Sequence, residues 1–196
     1  VIRTWQKLVD GNFADPNCGF AVRLINMKTT ASFLFLFLLC HSAVSAQSVM
    51  AGLNRFTGEW KSTYTMWMSP SMPAMTDHLT ARATLEMNEL FFVIRYNGVV
   101  MEMEYEGLRT IGYDLVKKKF VSAFTDNMNS GIDYKEGTGS LASGLIELAG
   151  TGVDAASGKP IQTKDVITLS DRQIRIETYE LLDGVERKIV ETLLTR

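Results

Sequence analysis

From Gly58 onward the apolar residues recur at every second position, and no stretch sustains the 3.6-residue period of an amphipathic helix. Such alternation specifies strands with one buried and one solvated face. Met101, Met103 and Tyr105 alternate with Glu102, Glu104 and Glu106, and the run Leu90 to Tyr96 is rich in aromatic and β-branched residues. Asn97-Gly98 after it is a hairpin signal. Further turn signals stand at Asp114 to Lys118, Asp126 to Gly131, Ser143-Gly144, Asp154 to Gly158, Ser170-Asp171 and Asp183-Gly184. The segments between them predict about ten strands, near 58–68, 77–87, 90–97, 99–106, 108–113, 119–125, 131–139, 144–152, 161–169 and 173–182, with an eleventh at 185–195.

Connections this short impose antiparallel pairing of sequential strands, because a parallel crossover needs a dozen or more residues. A meander of about ten strands curls, and closure removes its exposed edges. The expected fold is therefore all-β, a single antiparallel up-and-down barrel, with one short helical turn at Val49–Phe56. Composition agrees. In 196 residues, 46% hydrophobic content and 20 Lys+Arg against 22 Asp+Glu exclude a disordered chain and a strongly basic nucleic-acid binder.

The first 46 residues follow a different pattern. The apolar run Ala31 to Cys40 is preceded by Lys28 and followed by Val44-Ser45-Ala46, which are the three parts of a secretory signal peptide with a cut before Gln47. A membrane span would need about 20 apolar residues. Residues 27–46 are thus expected to be a leader, residues 1–26 an untranslated or misassigned extension, and 47–196 the working domain, periplasmic or secreted. The leader region holds Arg3, Lys7, Arg23 and Lys28 against Asp10 and Asp15, so residues 47–196 carry 16 basic and 20 acidic side chains. Cys18, Cys40 and His41 also fall outside that domain, leaving a cysteine-free chain whose one histidine is His78. A 150-residue domain can be stabilised by its core alone.

Several ordered motifs carry a resemblance. Gly58-Glu59-Trp60 is similar to the Gly-x-Trp entry of lipocalin-like (calycin) barrels. Met66-Trp67-Met68 with Pro70, Glu106 to Asp114, Lys117 to Lys119, Asp126-Asn127-Met128, Ser130-Gly131, Glu136-Gly137, Asp154, Gly158-Lys159 and Glu191 to Arg196 resemble the family known as domain of unknown function 1579. The resemblance covers nearly all of residues 47–196 and implies an exported bacterial barrel without an established activity. Asn88-Glu89 replaces the family's usual Gly-Gly turn, and Phe124 stands where a tryptophan is common. In such barrels an entry tryptophan packs against a late basic residue, so Arg196 or Lys188 is expected over Trp60.

Nucleophilic hydrolysis needs a base titrating near neutrality, and His78 alternates in phase with Thr80 and Arg82, as a solvated strand histidine does. No phosphate loop, dinucleotide fingerprint or nucleophile elbow is present. Glu102, Glu104 and Glu106 share a face and read as solvated; Asp114 and Asp126 read as turn formers. The domain is expected not to be an enzyme, and no cofactor, nucleic acid or membrane span is expected. Met66, Met68, Met72, Met75 and His78 lie within 13 residues, a donor set suited to Cu(I).

The expected function is binding of a small apolar or amphipathic molecule in the barrel, with Trp67, Phe92, Tyr96, Met101, Met103, Tyr105 and Phe124 as the candidate ligand-binding side chains. The alternatives are a filled barrel serving as an interaction or structural module, and Cu(I) binding by segment 66–78.

Overall fold

The computed structural model describes residues 45–69, 71–153, 158–182 and 184–196. The expected signal peptide lies almost wholly outside the described residues, as does the expected extension before it. A short helix α1 (Ala46–Met50) runs into a 3-10 helix (Ala51–Phe56). Ten strands follow: β1 (Gly58–Met66), β2 (Met75–Glu86), β3 (Phe91–Val100), β4 (Met103–Asp114), β5 (Lys119–Asp126), β6 (Asp133–Ser140), β7 (Leu145–Val153), β8 (Pro160–Ser170), β9 (Gln173–Leu182) and β10 (Val185–Thr195). Each pairs antiparallel with its sequence neighbours, and β10 pairs with β1, so the sheet closes into a barrel.

Two expectations are corrected. Asn97-Gly98 does not turn the chain; it lies inside β3, paired with Glu106 and Tyr105 of β4. The turn falls at Met101-Glu102, whose φ angles of 52° and 65° suit a two-residue hairpin. The run 101–106 is therefore a turn followed by a strand, and the two expected segments 99–106 and 108–113 become the end of β3 and a single β4. With those two segments merged the expected count of about ten strands is ten, as closure requires: in a closed meander an odd count would leave one parallel pair, and every pair here is antiparallel. The turn that replaces the family's Gly-Gly takes positive φ at Met87, Asn88 and Glu89.

The helices cap one end of the barrel. Met50, Leu53 and Phe56 are at most 1% exposed and join the core made by Trp60, Phe92, Ile111, Phe120, Ile146, Ile174 and Leu194. Burying each large apolar side chain contributes about 1.5–3 kcal/mol. A latch fixes the cap to the seam between the first and last strands. Trp60 Nε1 donates to Phe56 O at 3.0 Å, and the Arg196 guanidinium lies 4.0 Å from the Trp60 ring centroid while donating to the Arg55 and Thr57 carbonyls. The expected cation over Trp60 is thus Arg196; Lys188 instead covers Trp67, at 5.0 Å.

Asp114 and Asp126 are turn formers. Asp114 Oδ1 accepts from the Val116 and Lys117 amides, and Asp126 Oδ1 from those of Met128 and Asn129. Among the described residues, no helix is long and apolar enough to cross a membrane.

Candidate functional site

Alternation carries a charged residue into the lumen on three separate strands. On β4 the inward series is Tyr105, Gly107, Arg109, Ile111; on β6 it includes Asp133 and Lys135; on β8 it is Ile161, Thr163, Asp165, Ile167. These side chains meet as a belt across the middle of the barrel. Arg109 Nη1 donates to Asp165 Oδ2 at 2.6 Å and to Ser122 Oγ at 3.2 Å. Thr178 Oγ1 donates to Asp165 Oδ1 at 2.9 Å, and Lys135 Nζ lies 3.3 Å from the same oxygen while pairing with Asp133.

Buried charge is tolerated here because it is paired and hydrogen-bonded. Burial alone would raise the Asp165 pKa, yet the positive charges of Arg109 and Lys135 and the hydrogen bonds hold it below the ordinary carboxylate value. Burial likewise works against the Arg109 cation, and Asp165 outweighs it, raising the pKa. The guanidinium also stacks on Phe124, 4.8 Å from the ring centroid.

The belt divides the interior into unlike halves. Towards the cap, the inward side chains Trp60, Ala83, Phe92, Ile94, Ile111, Phe120, Ile167 and Ile174 are all buried, a filled core. Towards the opposite end Leu79, Val100 and Tyr105 are buried, but the inward positions Tyr64, Met66, Asp77, Phe124, Thr178 and Val190 are only partly covered, so the barrel is open there, and this open end is the recess. The recess reaches the belt on one side: Arg109 keeps 7% of its side-chain surface accessible, whereas Asp165 facing it keeps none.

Polar groups around the recess are incompletely satisfied. Among the described residues, Tyr96 Oη, Asp133 Oδ1, Thr163 Oγ1 and Arg187 Nε are buried without a hydrogen-bond partner, and all belong to this half; Ser62 Oγ, nearer the middle, is the fifth. Tyr64 and Tyr105 stand 5.8 Å apart between ring centroids, and Tyr105 Oη makes one long contact, 3.5 Å, to Asp126 Oδ2. Burial pushes Tyr64 and Tyr96 up to about 12, and raises Tyr105 as well.

Of the expected ligand-binding residues, Tyr96, Tyr105 and Phe124 come together here; the Tyr96 and Phe124 rings meet edge to face at 6.5 Å. Met101, at the β3–β4 turn, packs at the rim of the core, and its amide donates to Asp77 Oδ2. Phe92 sits in the filled half, away from the recess. Met103 begins β4 and is 50% exposed. Trp67 follows inward-facing Met66 and lies under Lys188, which pairs with Glu177 and Glu191.

Sequence reasoning missed Arg109, Lys135 and Asp165. Their signal was legible: each is a charge at an inward phase of its strand, flanked at two residues' distance by Ile111, by Gly137 and by Ile167. Reading them required trusting the phase over the polarity.

His78 is exposed on the outer face of β2, beside a shallow depression over Lys61, Thr80 and Asn97. Among the described residues, no group of three or more His, Cys, Asp or Glu side chains is placed to hold a metal ion. Met66 and Met75 face one another in the β1–β2 ladder, and Met68 and Met72 in the connecting loop are 53% and 54% exposed.

A comparison with curated proteins finds no match. Among solved structures, the crystal structure of Rv2717c from M. tuberculosis is similar in fold, with a TM-score of 0.55 at 11% identity over 78% of this chain and 99% of that one. The family model described as protein of unknown function (DUF1579) matches residues 45–196, the whole of the helical cap and barrel, and the chain belongs to that family.

Proposed function

We propose that the domain is a non-enzymatic binding protein that takes a small amphipathic molecule into the half of the barrel away from the cap. The observation that carries this reading is the concentration of unpartnered buried polar atoms, Tyr96 Oη, Asp133 Oδ1, Thr163 Oγ1 and Arg187 Nε, in that half. Leaving a buried donor or acceptor unsatisfied costs about 1–3 kcal/mol. A ligand with a polar end recovers part of that cost, and aromatic and thioether side chains at Phe124, Tyr64 and Met66 accommodate its apolar part. Native mass spectrometry and solvent extraction of the protein from its own host test the proposal. A reproducible bound molecule supports it, and a reproducibly empty barrel replaces it with the alternative of an interaction module.

Export belongs to the same proposal. Cleavage before Gln47 would remove Ser45, whose hydroxyl accepts from the Ser48 amide as the α1 N-cap. A cap contributes about 1 kcal/mol, which leaves Met50, Leu53 and Phe56 to hold the helices in place. N-terminal sequencing of the host protein checks the cut; residues 1–26 still attached would sink it.

A second reading rests on the Met66–Met75 ladder pair with Met68 and Met72 on the loop between them. These thioethers form a soft donor set for Cu(I). Anaerobic calorimetry with Cu(I) tests it, and heat no greater than that of buffer ends it.

A further inference from the structure

The recess has a chemical polarity that specifies the polar end of its ligand. Both hydrogen bonds of the Arg109 side chain run through Nη1, and the Tyr96 hydroxyl, which lies within the influence of the Arg109 charge, is without a geometric hydrogen bond among the described residues. Of the two belt cations, Arg109 keeps more accessible surface, 7% against 2% for Lys135. At Arg109 and Tyr96 the floor offers donors, whose complement is an acceptor atom, while Asp133 Oδ1 is an unpartnered acceptor of the same half.

Charge decides what kind of acceptor. Within this half Asp165 and Asp133 are paired with Arg109 and Lys135, and Glu180 with Arg187 at 2.9 Å. Two inward carboxylates, Asp77 and Asp126, have no cation partner among the described residues; their partners are the Met101 amide for one, and Tyr105 with the turn amides for the other. Both bear on Tyr64 in the recess wall, where after burial Asp126 raises the pKa, Arg109 opposes it and Asp77 adds to the rise. Any ligand entering the recess passes these two carboxylates without cation partners, and in a site of low dielectric like charges weigh heavily.

We propose that the ligand is an uncharged molecule bound polar end down, with a carbonyl-type acceptor on Arg109, and that Asp77 and Asp126 exclude carboxylates. This rests on the binding function proposed above and names its ligand class.

Three probes of equal chain length test it: 2-decanone, decanoate and decane, measured by calorimetry on the full chain at about pH 8, where the acid is ionised. The ketone is expected to bind about tenfold or more tighter than either of the others. The double variant Asp77→Asn/Asp126→Asn keeps the acceptor oxygens that hold the turns. It is expected to improve decanoate binding several-fold while changing the ketone by less than about twofold. Decanoate binding as tightly as the ketone, or a double variant that leaves decanoate unchanged, overturns the exclusion of carboxylates. Decane binding as tightly as the ketone overturns the role of Arg109. In both cases a barrel that binds ligands would still stand, whereas no binding of any probe together with an empty host protein removes the binding function itself.

Discussion

Arg109 on β4 and Asp165 on β8 meet across the lumen at 2.6 Å, although 56 residues separate them in sequence. Three strands of the wall, β5 to β7, lie between them, so the ion pair ties well-separated sides of the barrel together. Replacing one partner leaves a buried charge uncompensated. Arg109→Met alone or Asp165→Leu alone is expected to lower the unfolding free energy by about 3–5 kcal/mol. The double replacement should recover part of that loss, though Lys135 then loses one of its two carboxylates. Urea denaturation of the three variants measures it, and single variants within about 0.5 kcal/mol of the parent would contradict the pairing.

The same pair sets an acid limit. Asp165 has a folded pKa below its unfolded value, so its contribution is fully present above about pH 4 and is lost as pH falls through the folded value. Acid unfolding followed by tryptophan fluorescence should show the parent losing stability below about pH 4, and a variant lacking the pair losing less in that range.

Tyrosine sets the alkaline limit. Tyr64 and Tyr96 are raised to about 12, so their contribution is present below about pH 10, where an unfolded tyrosine begins to ionise, and is lost as pH rises towards 12. Tyrosinate absorbance should titrate in two phases, and Tyr96→Phe should shrink the later one. Full ionisation near pH 10 while the fold persists would contradict the burial of these rings.

At the seam, Arg196 both covers Trp60 and binds the carbonyls that lead out of the 3-10 helix. Arg196→Ala is expected to cost about 1–2 kcal/mol through the lost cation–π contact and hydrogen bonds. Arg196→Lys should restore less than half, because an ammonium lacks the planar fork. Thermal melts of the two variants separate these outcomes.

Gly137 allows β6 and β7 to approach closely; a Cβ there would overlap the Glu147 carbonyl oxygen. Gly137→Ala should destabilise by about 1–3 kcal/mol through displaced backbone. By contrast, Gly131→Ala, where added Cβ meets nothing, should be near neutral. Equal melting temperatures for the two variants would contradict the close approach.

Particular residues show why some of this was legible. The alternation that begins at Trp60 and the turns at Asp114 and Asp126 are local, and local preferences survived folding unchanged. Asn97-Gly98 shows the limit of local preference: its turn propensity was overridden because Asn97 and Gly98 both have β4 partners, and the chain reversed at Met101-Glu102 instead. Phe92 and Met103, expected at one site, stand at opposite ends of the β3–β4 ladder, since alternation gives a residue's face but not its depth along the barrel axis.

By itself, the sequence determined strand content, antiparallel order and closure, because period-two burial and short turns leave a chain of this length few other solutions, whereas the choice of Arg196 over Lys188 as the cation on Trp60 came only with the fold. The tertiary structure alone decided that the cap fills one half of the barrel and that Arg109, Lys135 and Asp165 meet in the middle. That meeting depends on the strand-to-strand register, which sets the height of every inward side chain, and register is a property of the closed sheet rather than of any one segment.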